Sequence, residues 1–144
     1  MREILFRGKR VDNGKWVYGY YVKATHHWHT HGIHEDWIAT DTVQNGGWCN
    51  VRGKYAVDPK TVGQFTGMTD KNGKKIFEGD IVKAQDDVFG SPFCDGLTGK
   101  IEYDEAAYFI VPKDIMDTQY LYNECAVYEV IGNIHDNPEL LKGE

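Results

Sequence analysis

Between Thr61 and Ala84 the chain places Gly63, Gly67, Gly73 and Gly79 among two apolar clusters, Val62 to Met68 and Ile76 to Val82, with an Asn72-Gly73 pair between them. Asn-Gly accepts the positive φ angles of a tight hairpin turn, and glycine recurring at this density does not suit a helix. The stretch therefore reads as tightly turned β structure. Whatever else the chain folds into has to accommodate it.

The remaining sequence carries the same bias. Ile4-Leu5-Phe6, the turn Asp12-Asn13-Gly14-Lys15 and Trp16 to Val22 form a hairpin signal. On the second arm Trp16, Tyr18, Tyr20 and Val22 share one strand face while Val17 and Tyr21 share the other. Neither face looks solvated, so this strand is expected to be buried on both sides or to lie in a subunit contact. Nine Tyr, six Phe and four Trp suit pleated, half-buried surfaces where flat rings pack across strands.

A second strand is expected over Asp36 to Val43, ending at Asn45-Gly46-Gly47, and a short one over Tyr55 to Val57, ended by Pro59. From Trp48 to Lys60 the pattern is otherwise weak. A soft division falls near Asp58, without a Ser- or Pro-rich linker, so a single domain over residues 1–144 is expected, with an N-terminal hairpin half (1–57) and a second half (58–144). In that second half Ile81 to Ala84, Lys100 to Asp104, Tyr108 to Val111 and Val127 to Ile134 read as strands. Gln85 to Gly96 reads as loop, and Lys113 to Glu124 suits either a short helix or an irregular excursion. Asn137-Pro138 followed by Leu140-Leu141 ends the chain in about one helical turn.

The fold expected from these elements is mainly β. Its C-terminal half is a small, strongly bent SH3-like barrel built from the segments around Phe65, Ile76 to Ala84, Lys100 to Asp104, Tyr108 to Val111 and Val127 to Ile134. The N-terminal half supplies a β-hairpin elaboration. A chain of 144 residues can bury roughly 70% of its unfolded surface, enough for a core without staples.

Charge and cysteine usage narrow the function classes. The formal net charge of −6 disfavours nonspecific attraction to phosphate backbones. Cys49, Cys94 and Cys125 are odd in number and lack zinc or redox spacing, so they read as reduced thiols of a cytoplasmic protein. The start Met1 to Arg7 has no apolar leader region, and no stretch is long enough to span a bilayer.

Three places resemble the YopX family, proteins encoded mostly by phages and prophages of Gram-positive bacteria: Met1 to Arg7, Gln64 to Val82, and Tyr128 to Leu141. The resemblance implies a phage setting and a self-associating β-rich domain, with a trimer or a multiple of one as the expected assembly. It brings no catalytic residues to carry over.

Two clusters carry possible chemistry. His26-His27-Trp28-His29-Thr30-His31-Gly32-Ile33-His34 holds five of the six histidines. If it is extended, His27, His29 and His31 line one face about 6.7 Å apart. Such imidazoles could hold a divalent metal with Glu35, Asp36 or Asp41, against the plainer reading of a polar loop. A small His-metal endonuclease would need a helix after the His run, and none is expected there. Lys71, Lys74 and Lys75 around Asn72-Gly73 form a basic spot able to touch phosphate or an acidic partner, against the plainer reading of a solvated turn. The acid pairs Glu78/Asp80 and Glu102/Asp104 suit turn and strand roles better than acid–base work. The function expected is a non-enzymatic accessory module, without a cofactor, that binds a phage or host macromolecule. The alternative is a metal-binding protein or metal-dependent enzyme using residues 26–34.

Overall fold

The computed structural model describes residues 2–23, 36–45, 48–86, 96–113, 118–121 and 126–142, with backbone alone for 41–45, 48–52 and 86. The chain is mainly β, with two antiparallel sheets and, among the described residues, two short 3-10 turns. It divides into two compact units, Met1–Phe65 and Thr66–Glu144.

In the first unit the strands run β1 (Phe6–Lys9), β2 (Trp16–Lys23), β3 (Asp36–Asn45) and β4 (Trp48–Ala56), and the first residues of β5 (Gly63–Thr69) complete it. Their lateral order is β4-β3-β2-β1-β5. The β1–β2 hairpin closes where Asn-Gly chemistry dictates: Gly14 sits at φ +68°, Arg10 N donates to Lys15 O, and Lys15 N donates to Asn13 Oδ1, both at 2.9 Å. One face carries the core, in which Val17, Ile38 and Val57 pack with Phe6, Tyr21, Tyr55 and Val62. Between Ala56 and Gly63 a 3-10 turn, Pro59–Thr61, is capped by Asp58, whose carboxylate accepts from Lys60 N. Thr61 Oγ1 donates to Asp58 O and accepts from Lys9 N, fixing the path into β5.

The second unit begins inside β5 and continues through β6 (Lys75–Phe77), β7 (Asp80–Asp86), β8 (Thr98–Asp104), β9 (Ala107–Pro112), β10 (Gln119–Tyr120) and β11 (Ala126–Asn133). Thr66 Oγ1 donates to Ile76 O at 2.8 Å, joining the β5 and β6 arms. The five-stranded sheet has the order β10-β9-β8-β7-β11. Ile76, Val82, Ala84, Ile101, Tyr108, Ile110, Leu121 and Tyr128 form its core. Among the described residues no ladder joins β10 to β11, and no closed barrel is found. Of the stretch 113–124, Gln119 and Tyr120 pair with β9, and residues 114–117 and 122–125 lie outside the described residues.

The closing turn forms as Pro138–Leu141, but the side chain of Asn137 makes no cap bond to it. Asn137 Oδ1 instead accepts from Asn133 N at 3.4 Å. A Cβ on Gly132 would lie 2.6 Å from that oxygen and 2.8 Å from Leu140 Cδ1. A glycine in β11 is therefore what lets the last turn lie against the strand.

Candidate functional site

Antiparallel register keeps paired residues on one side of a sheet. The pairs Lys9↔Trp16, Arg7↔Tyr18, Tyr20↔Ala39, Val22↔Trp37 and Ala39↔Lys54 therefore define a single face opposite the core. On it Tyr18 is 48%, Tyr20 54% and Val22 43% exposed. Among the described residues, then, β2 is not buried on both sides along Tyr18 to Val22, although Arg7 and Ala39 on the same face are 5% and 1% exposed.

Cations sit against the rings of this face. The Arg7 guanidinium carbon is 4.6 Å and the Lys9 Nζ 5.6 Å from the centre of the Trp16 ring, and Lys54 Nζ is 4.3 Å from that of Trp37. Such stacking leaves the lysine charges partly hydrated over an apolar surface, whereas Arg7 is itself buried, 5% exposed. On the opposite face Tyr21 donates its hydroxyl hydrogen to Asp36 Oδ1. Burial, that hydrogen bond and the Asp36 charge push the Tyr21 phenol up to about 12.

The lysine turn resolves differently from its sequence appearance. Asp70, 6% exposed, lies beneath it, and its Oδ1 accepts from Asn72 N and Lys74 N, both at 2.9 Å. Its Oδ2 accepts from Val130 N at 3.1 Å, and Lys71 N donates to Tyr128 O at 2.8 Å. Lys71 Nζ is 3.1 Å from Glu129. The Asp70 carboxyl is held below the usual range: burial works against this, but the amides of Val130, Lys74 and Asn72 and the Lys74 charge outweigh it. Of the three lysines, Lys71 pairs with Glu129 and Lys74 stands beside Asp70. The turn is an anchor onto β11.

The acid pairs are also absorbed locally. Asp80, 1% exposed, accepts from Phe77 N at 2.8 Å, and Gly79 at φ +86° makes the bend. Glu102 pairs with Lys100, and Asp104 accepts from Glu105 N at 2.9 Å. Lys100, Glu102, Asp104, Phe109, Val111 and Leu141 help line an open cleft of about 510 Å³ on the outer face of β8 and β9.

His27, His29 and His31 lie outside the described residues. Among the described residues no three His, Cys, Asp or Glu side chains group to hold a metal, and no helix is long and apolar enough to cross a membrane.

Counting charge by unit reveals what the whole-chain total concealed. Residues 1–65 hold nine Lys and Arg against six Asp and Glu, a net of +3. Residues 66–144 hold seven against sixteen, a net of −9. This signal was present in the sequence and is lost on averaging.

Two antiparallel sheets, with exposed rings and lysines on one face of the first unit, define a β-rich protein. The chain belongs to the YopX protein family, which it matches over residues 5–142. Among solved structures it is similar to protein EF1440 from Enterococcus faecalis, with a TM-score of 0.58 and 25% identity over 98% of this chain and 99% of that one. No curated protein matches it.

Proposed function

We propose that this chain is a non-enzymatic accessory protein of a phage or prophage, working in the bacterial cytoplasm. In this reading it acts as a homo-oligomer, a trimer or a multiple of one, and holds a partner macromolecule on the sheet face of its first unit. The second unit serves as a small, bent, SH3-like scaffold. The observation that carries the reading is the exposure of Tyr18, Tyr20 and Val22 in one stripe. Apolar side chains exposed singly need no explanation, whereas a contiguous row on a regular strand marks a contact surface. The cations over Trp16 and Trp37 add the polar rim such surfaces carry.

The test compares the native chain with a Tyr18→Ser/Tyr20→Ser double variant. Light scattering of the native chain is expected to give the mass of an oligomer. Affinity capture from phage-infected cells is expected to retain a partner with the native chain and to lose it with the double variant. The same captured set with both proteins would overturn the assignment of the face.

A further inference from the structure

The atoms around the ring stripe select a chemical class of partner. Trp16, Tyr18 and Tyr20 recur every second residue along β2, a step of about 6.7 Å. That is about twice the 3.4 Å per nucleotide of a stacked duplex strand. Bases lying on successive rings would have to be separated from one another, which an extended single strand permits and a duplex does not. Tyrosine and tryptophan rings take any base, since every base has a π-face.

Charge complementarity points the same way. The rings at the two ends of the stripe each carry a lysine, Lys9 on Trp16 and Lys54 on Trp37. Ala39 pairs in register with both Tyr20 and Lys54, which places the two residues on the same face, one strand apart. The unit bearing this face has a net charge of +3. A second copy packed on this face about a two-fold axis would set the same cationic patch against itself. An anionic occupant meets no such opposition.

We propose that the β1–β4 face binds single-stranded nucleic acid without sequence preference, with bases stacked on Tyr18 and Tyr20 and phosphates near Lys9 and Lys54. This rests on the reading of the face as a contact surface and names its partner class. DNA and RNA single strands share this chemistry, and the 2′-hydroxyl is what separates them.

Fluorescence anisotropy of the full chain tests it, with labelled oligothymidine and oligouridine of about 16 nucleotides and a duplex of equal length. Saturable binding is expected to at least one single strand and to be stronger than binding to the duplex. Two phosphate contacts imply that affinity falls about sevenfold between about 50 and about 200 mM salt. Tyr20→Ala, checked for folding by circular dichroism, is expected to weaken binding by about 5- to 150-fold. Lys54→Gln, at an exposed position, is expected to flatten the salt dependence, and Lys74→Gln/Lys75→Gln to change nothing. No saturable binding of the native chain at low salt overturns the proposal. So does equal binding by a folded Tyr20→Ala, or binding that follows Lys74 and Lys75. If the native chain binds no oligonucleotide but Tyr20→Ala alters captured protein or assembled mass, the face reading stands and the nucleic-acid inference falls. If Tyr20→Ala moves none of these, both fall.

Discussion

Asp70→Ala is the perturbation that most directly tests how the second unit is held together. The carboxylate accepts three backbone N–H groups. Two of them, on Asn72 and Lys74, sit at a turn where water can replace the lost acceptor, at about 1 kcal/mol each. The third, on Val130, lies within β11 and is left without its acceptor, at about 2 kcal/mol. The expected destabilisation is about 4 kcal/mol, a large share of the roughly 5–15 kcal/mol that stabilises a domain. Asp70→Asn keeps an oxygen for the turn but turns its amide towards Val130 N–H, so about half that loss is expected. Urea unfolding should show a midpoint lower by roughly 2 M for Ala, taking m as about 2 kcal/mol/M. Hydrogen exchange at the Val130 amide should accelerate in both variants. Because the folded-state carboxyl is depressed, its contribution is full above the ordinary carboxylate range and is lost as pH falls through the lowered value. The gap between native and Asp70→Asn stabilities should therefore close in acid. An Ala variant less than about 1 kcal/mol destabilised, with Val130 protection intact, would refute the reasoning.

Gly132→Ala should destabilise the C-terminal turn by about 1–3 kcal/mol, since its Cβ would overlap Asn137 and Leu140; urea unfolding with exchange at Leu140 measures it. In the β8–β9 hairpin Glu105 and Ala106 both hold positive φ, 46° and 63°, a conformation that non-glycine residues adopt at about 1–2 kcal/mol each. Glu105→Asn/Ala106→Gly should thus raise the thermal midpoint, and an unchanged or lower midpoint would count against the strain. In an alkaline ultraviolet titration Tyr21 should give a step near 12. Its raised value stabilises the fold fully below the ordinary tyrosine range, and that contribution is lost as pH rises through about 12. Tyr21→Phe should abolish the late step.

Local chemistry made much of this fold legible. Asn13-Gly14, Asn72-Gly73 and Gly79 turn where residues with access to positive φ allow it, and strict alternation in Lys100 to Asp104 matches β8. Trp48–Ala56 is a full strand whose pattern is weak. Gly53 at φ +68° interrupts it, and its pairing with β3 supplies what its own side chains do not. The face of β2 was legible as two-sided, but which side is covered depends on Ile38 and Val57, far along the chain. The anchoring of the lysine turn was not legible, because its counter-charge, Glu129, and its anchor, Val130, lie nearly sixty residues away.

That separation has a consequence during synthesis. The first unit has all its strands once Phe65 has emerged. Asp70 must wait for Val130, 60 residues later, which at about 5–20 residues per second is roughly 3–12 s of translation. For that interval the first five strands of a six-stranded sheet lead a nascent segment whose buried acid is still in water. The ribosome's pace, and whatever the β2 face engages meanwhile, then set the conditions under which the second sheet closes.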